Sequence, residues 1–180
     1  MLKKILVALD RSQIGQQVFE EALALAKLTQ AHLLLLHVLA PEEGGSSYLP
    51  MLYNIDYYPR LNSQNFELYQ QQWNSLKQES LQMLQSFSAQ ANTVGITTEF
   101  AQPLGDPGRT ICKLAINWGA DLIIMGRHGR SGLAEMLLGS VSSYVVHHAP
   151  CSVHIVQRPI MHQDLEKVVT KSTTVASSSE

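Results

Sequence analysis

The chain has 180 residues, with 13 Lys+Arg against 15 Asp+Glu and a formal net charge of −2. That length suits one domain able to bury roughly 70% of its unfolded surface, and the slight acidic excess excludes the basic surface that non-specific nucleic-acid or anionic-membrane binding needs. The two cysteines, Cys112 and Cys151, sit in apolar contexts without paired spacing, so they make neither a disulfide framework nor a four-ligand zinc site and read as reduced core thiols.

The start, MLKKILVALD, has two lysines before an apolar run, but Asp10 ends that run too early for a signal peptide. No stretch approaches the roughly 18 apolar residues of a membrane span, and a cytoplasmic protein is expected. Lys4 to Leu9 is a short continuous apolar run, the pattern of a strand buried on both faces. Ser12 then offers an N-cap to a helix over Gln13 to Thr29, in which Val18, Ala22, Leu25, Ala26 and Leu28 recur at helical spacing. His32 to Leu39 is a second buried strand. Residues 41–65 mix Gly, Pro, Ser and the tyrosines Tyr48, Tyr53, Tyr57 and Tyr58, and read as a long loop insertion suited to a lid or partner surface, or simply mobile.

Helical period returns from Phe66, with Phe66, Tyr69, Trp73, Leu76, Leu84, Phe87 and Ala91 on one stripe expected to pack in the core. Gly95 ends that helix, and Ile96 to Ala101 alternates enough to be an edge strand. Pro107 opens a helix that runs to about Trp118, where Gly119 stops it. Asp121 to Met125 is a fourth strand, Gly139-Ser140 begins a helix to about His148, and Cys151 to Gln157 is a fifth strand. Strands alternating with helices imply an α/β domain with a parallel sheet covered on both faces. One domain over residues 1–158 is expected, followed by a polar tail over 159–180 that cannot build a core.

The chemistry is concentrated in MGRHGRSGLAEMLLGSVSSYVV, Met125 to Val146. In an open parallel sheet, ligands bind outside the carboxyl ends of the strands where strand order reverses. Gly126 and Gly129 can adopt backbone angles closed to other residues and let N–H groups approach a phosphate. Gly139-Ser140 opens a helix whose first turn has unpaired N–H donors, with Ser140, Ser142 and Ser143 adding hydroxyls. A loop and a helix end together suit a di- or triphosphate. A P-loop is excluded because no lysine precedes Ser140, and a dinucleotide fingerprint because the glycines follow the fourth strand instead of the first. Spacing alone does not separate an anion site from glycines that serve only turns and helix ends.

The same residues resemble the nucleotide-binding signature of the universal stress protein family, G-x2-G-x9-G-[ST], complete as Gly126, Gly129, Gly139 and Ser140. ILVALDRS, LLLLHV, DLIIMG and GSVSSYVVHHAPCSVHIV resemble the family too, so the likeness covers about Lys3 to Val156 apart from the tyrosine-rich loop. The resemblance implies an open five-stranded parallel sheet of order 3-2-1-4-5 with helices on both faces, of the adenine nucleotide alpha hydrolase-like kind. It implies ATP binding (or ADP or AMP), with Asp10 at the ribose, Ala8 and Leu9 lining the adenine side, and Val38 meeting adenine through its backbone. Met125, Gly126, His128 and Gly129 would border ribose and phosphates, and Gly139, Ser140 and Val141 would hold the phosphates, with Ser142 beside them. Mg²⁺ or Mn²⁺ would bridge the phosphates without a dedicated protein cage, since no acidic cluster offers one. Homodimerisation through the edge strand Cys151 to Gln157 is implied as well, and an unidentified protein partner is compatible with a sensor or switch in stress response. Two departures stand out. Ala8 occupies a position where the family often has Pro, and Arg127 one where it often has a small hydroxyl residue. Arg127 would either add phosphate attraction or point to solvent.

No convincing nucleophile–base pair emerges, so any ATP hydrolysis is expected to be slow or partner-dependent. A slow hydrolase of the wider group, an AMP- or cyclic-nucleotide-binding regulator, and an interaction module without nucleotide are the alternatives. His37 and His154 read as satisfied sheet histidines, and His147-His148 as cations at a helix C-terminus, where the dipole favours them.

Overall fold

A computed structural model describes residues 1–40, 63–127 and 138–157. Among these residues, five strands and four helices follow one another as β1 (Lys4–Ala8), α1 (Gln13–Thr29), β2 (His32–Leu36), α2 (Ser63–Thr93), β3 (Thr98–Ala101), α3 (Pro107–Trp118), β4 (Leu122–Gly126), α4 (Ser140–His148) and β5 (Ser152–Val156). The strands form one parallel sheet of order β3-β2-β1-β4-β5, as the resemblance implied. Residues 41–62, most of the loop expected over 41–65, and residues 158–180, with the expected tail, lie outside the described residues, whereas 63–65 belong to α2 and not to a loop. Among the described residues no helix is long and apolar enough to cross a membrane.

Strand alternation sorts the core into two layers. Ile5, Val7, Leu33, Leu35 and Ile124 face Val18, Phe19, Ala22 and Ala26 of α1 and Leu84, Phe87 and Ala91 of α2. Leu6, Leu34, Leu36, Ile123 and Met125 face Ile111, Cys112 and Ala115 of α3 and Val145 of α4. Phe19 and Phe87 stack with ring centroids 4.3 Å apart, tying α1 to α2. Burying each such large apolar side chain is worth roughly 1.5–3 kcal/mol.

The helix ends follow local chemistry. Ser12 caps α1, accepting from the N–H groups of Ile14 and Gly15. Asp106 caps α3 by accepting from Arg109 N–H at 2.9 Å, with Pro107 in the first turn and Gly119, at φ 71°, closing its C-terminus. Among the stripe residues of α2 whose side chains are described, those in its C-terminal half are core. Leu84 and Ala91 are fully buried and Phe87 nearly so, whereas Trp73 and Leu76 are half-buried. A helix of 31 residues outruns the four-residue edge strand β3 beside it. Phe66 and Tyr69 lie outside the residues whose side chains are described.

Both cysteines are free, and burial pushes both thiols above their ordinary range, which suits inert packing better than redox chemistry. His147 and His148 each place Nδ1 on the carbonyl four residues earlier, at the C-terminus of α4. His154, read as a satisfied sheet histidine, lies in β5 and has a side-chain partner. It projects from edge strand β5 and pairs with Glu21 of α1 at 2.8 Å, with both side chains about half exposed.

Candidate functional site

β1 lies between β2 and β4, so strand order reverses there and a crevice opens outside their C-terminal ends. The chain leaves β1 into α1 and β4 toward α4, which places two helix N-termini on that edge. The residues picked from sequence gather around it. Ala8, Leu9 and Asp10 end β1, Val38 follows β2, Met125, Gly126 and Arg127 end β4, and Gly139, Ser140, Val141 and Ser142 open α4. His128 and Gly129 lie outside the described residues.

The β1 side is built from a chain of polar contacts. Ser12 donates both its N–H (3.0 Å) and its hydroxyl (2.5 Å) to Asp10 Oδ1. The same Ser12 hydroxyl oxygen caps α1, so the carboxylate and the helix N-terminus are locked together. Gly15 is essential to that arrangement. A Cβ there would collide with the Asp10 carbonyl oxygen and stand 3.0 Å from Oδ1. Gly15 was not singled out from sequence, because a lone glycine inside a helical pattern carries no signature. Its place three residues after Ser12, with Asp10 just before, was the available signal.

Gly126 works differently from the reading of an unusual backbone angle. It is not among the positive-φ residues, and it continues the β4 ladder opposite Val156. Its missing side chain instead admits α1, since a Cβ there would come within 2.5 Å of Ile14 Cγ2. Gly126 therefore seats the first turn of α1 against the end of β4. Gly108 does the same for α4, where a Cβ would meet Tyr144 Cδ1 at 2.8 Å.

The β4 side presents a helix N-terminus and the Arg127 guanidinium. Gly139 caps α4 with extended backbone (φ −60°, ψ 160°) and no side-chain cap bond, unlike Ser12 and Asp106. The first helical bond runs from Ser143 N–H to Gly139 C=O at 2.8 Å, so the N–H groups of Ser140, Val141 and Ser142 precede the ladder. Ser142 is buried, and its hydroxyl donates to Gly139 C=O at 3.0 Å, turned into the helix. Arg127 extends β4 by one bond, its N–H donating to Val156 C=O at 2.9 Å. Its guanidinium is not simply solvated, because Nη2 is buried and has no hydrogen-bond partner among the described residues.

Leu9, Val38 and Met125 have side chains in the core, at 5%, 7% and 4% exposure, so their backbone groups are what they can offer a ligand. Leu9 N–H bonds Leu36 C=O, His37 N–H bonds Ala101 C=O and Leu39 N–H bonds Pro103 C=O, while Val38 takes part in none of these. Among the described residues no three His, Cys, Asp or Glu side chains form a group able to hold a metal ion.

Comparison with known proteins places the chain among relatives. A profile of the Universal stress protein family matches residues 1–157. Universal stress protein Sll1388 of Synechocystis is 38% identical over 154 residues, covering 86% of this chain and 97% of the relative. The solved structure of MJ0577 from Methanocaldococcus jannaschii superposes with a TM-score of 0.68 at 27% identity, covering 89% and 99% of the two chains. A universal stress protein family member from Arabidopsis thaliana, solved with AMP bound, shares the fold at 22% identity and TM-score 0.57, over 87% and 92% of the chains.

Proposed function

The chain belongs to the universal stress protein family, and from that premise we propose that it binds ATP as a nucleotide-dependent sensor or switch in stress response. The observation that carries the reading is the α4 N-terminus at the strand-order reversal, left without a capping side chain among the described residues, together with the partly buried Arg127 guanidinium at the end of β4. A helix start with open N–H groups and about half a positive charge suits a phosphate. The AMP-bound Arabidopsis relative supports an adenine nucleotide as the class.

In this reading Asp10 meets the ribose, and Ala8, Leu9 and the Val38 backbone meet adenine. Met125 to Gly129 border ribose and phosphates, and Gly139 to Ser142 hold the phosphates. The Asp10 carboxylate is already oriented by Ser12, so little ordering remains to be done on binding. Mg²⁺ or Mn²⁺ would be carried by phosphate and water, since the described residues supply no cage. The protein acts by binding, with hydrolysis slow or absent. β5 ends the sheet, and a homodimer through Cys151 to Gln157 would cover that edge.

Thermal melting with nucleotide tests the proposal. A ligand at 100 times its dissociation constant stabilises the fold by about 2.7 kcal/mol, or roughly 5–10 °C for a chain of this size. An unchanged melting temperature in millimolar ATP, ADP and AMP with Mg²⁺ refutes it. The AMP-bound relative favours one second reading, a monophosphate sensor, which tighter binding of AMP than of ATP would establish.

A further inference from the structure

The β1–β2 ladder stops one rung early. Its last pair is Ala8↔Leu36, and Leu9 N–H donates to Leu36 C=O at 2.8 Å. A parallel ladder would next carry Val38 N–H to the Leu9 carbonyl. That carbonyl instead receives the ring of His37, Nδ1 to oxygen 2.9 Å. His37 is 2% exposed, and its own N–H is held by Ala101 C=O. A carbonyl only accepts, so Nδ1 carries the proton. Beyond it, Leu39 turns to the β3 side through Pro103 and Leu104. The buried Val38 side chain belongs to the same core layer as Leu36, Ile111 and Met125. Its side chain is thus held in the core while its backbone, among the described residues, is released from the sheet at the strand ends.

We propose that His37 is a positioning residue for nucleobase recognition: its ring takes the Leu9 carbonyl, so the Val38 N–H and C=O are presented to an adenine edge instead of closing the sheet. An N–H beside a C=O matches the acceptor N1 and donor N6 of adenine, and opposes the N1–H and O6 of guanine. Buried backbone groups are almost always paired, which gives the ligand edge that task. The assignment rests on the adenine-nucleotide reading above and adds the source of its base selectivity.

The test compares wild type with His37→Leu, which fills the space without a donor, and His37→Asn, whose amide nitrogen can donate from nearly the Nδ1 position. Titrations with ATP, GTP and inorganic tripolyphosphate separate base from phosphate binding. His37→Leu should lower the ATP-over-GTP preference about 3–10-fold, the range for one net hydrogen bond, with tripolyphosphate affinity unchanged and His37→Asn restoring the preference. An unchanged ratio in a folded His37→Leu protein overturns the assignment, as does an equal loss for all three ligands. Nitrogen-15 NMR of the wild type adds a readout that needs no variant. The Nδ1–H tautomer and a Val38 amide shift caused by ATP but not tripolyphosphate are expected, and an Nε2–H tautomer overturns the proposal. Wild type that binds tripolyphosphate but no adenine nucleotide overturns the underlying reading, and this one with it.

Discussion

Gly15→Ala sets helix propensity against packing, and the two predict opposite signs. Propensity alone favours alanine by up to about 1 kcal/mol. The structure puts the new Cβ onto the Asp10 carbonyl oxygen, 3.0 Å from Asp10 Oδ1 and 3.2 Å from its carbonyl carbon. Two of these three atoms are backbone, so no rotamer change relieves the overlap and the whole β1–α1 turn must shift. Overpacking of this kind costs about 1–3 kcal/mol. The backbone overlap puts the cost toward the upper end of that range, so after the propensity gain a net loss of about 2 kcal/mol remains, a fall of roughly 4–8 °C in melting temperature. Because the shifted atoms include the Asp10 carboxylate, ATP affinity should fall in the same protein. Calorimetric melting with an isothermal titration measures both, and Gln16→Ala, at the exposed neighbouring position, serves as the propensity control. A Gly15→Ala protein that melts at or above wild type refutes the packing argument.

Three further outcomes are expected. Gly139→Asp supplies α4 with the cap it lacks, so it should stabilise the ligand-free protein by about 0.3–1 kcal/mol while repelling phosphate; ATP affinity that survives would move the phosphates elsewhere. Arg127→Met removes a buried nitrogen without a partner among the described residues, a group whose desolvation costs about 1–3 kcal/mol, so urea unfolding without ligand should show a more stable protein and nucleotide titration a weaker binder. Asp121 accepts from the N–H groups of Lys3 (2.7 Å) and Lys4 (2.9 Å), and those two bonds hold its carboxyl below the usual carboxylate range. A depressed folded pKa means that its stabilisation is present above about pH 4 and lost as pH falls through the folded value. Asp121→Asn should therefore be less stable than wild type at pH 7, with the gap closing in acid; a gap independent of pH excludes the linkage.

The fold was legible because its signals are local. The runs Lys4 to Leu9 and Asp121 to Met125 mark the two central strands, and Ser12, Pro107 and Gly119 mark helix ends that the structure reproduces. What was not legible depends on partners distant in sequence. β2 was expected to continue to Leu39, but it ends at Leu36, because the His37 ring and not the next backbone N–H takes the Leu9 carbonyl. The α2 stripe reads as core throughout, but among its described side chains Leu84, Phe87 and Ala91 join the core while Trp73 and Leu76 are only half-buried.

The site shows the same division more sharply. Gly126 and Gly139 look equivalent in a glycine pattern, yet one clears Ile14 and the other leaves a helix start bare. The packing duty of Gly126 would persist in a chain that bound nothing, so that glycine does not by itself argue for a ligand. The proposed phosphate site rests instead on the α4 start and the Arg127 nitrogen, each without a side-chain partner among the described residues, a cost to the ligand-free protein that an anion bound at both would relieve. If both substitutions stabilise the protein and weaken nucleotide binding, function explains what folding alone does not. If either destabilises it, that residue has a structural duty, and the argument for phosphate rests on the other.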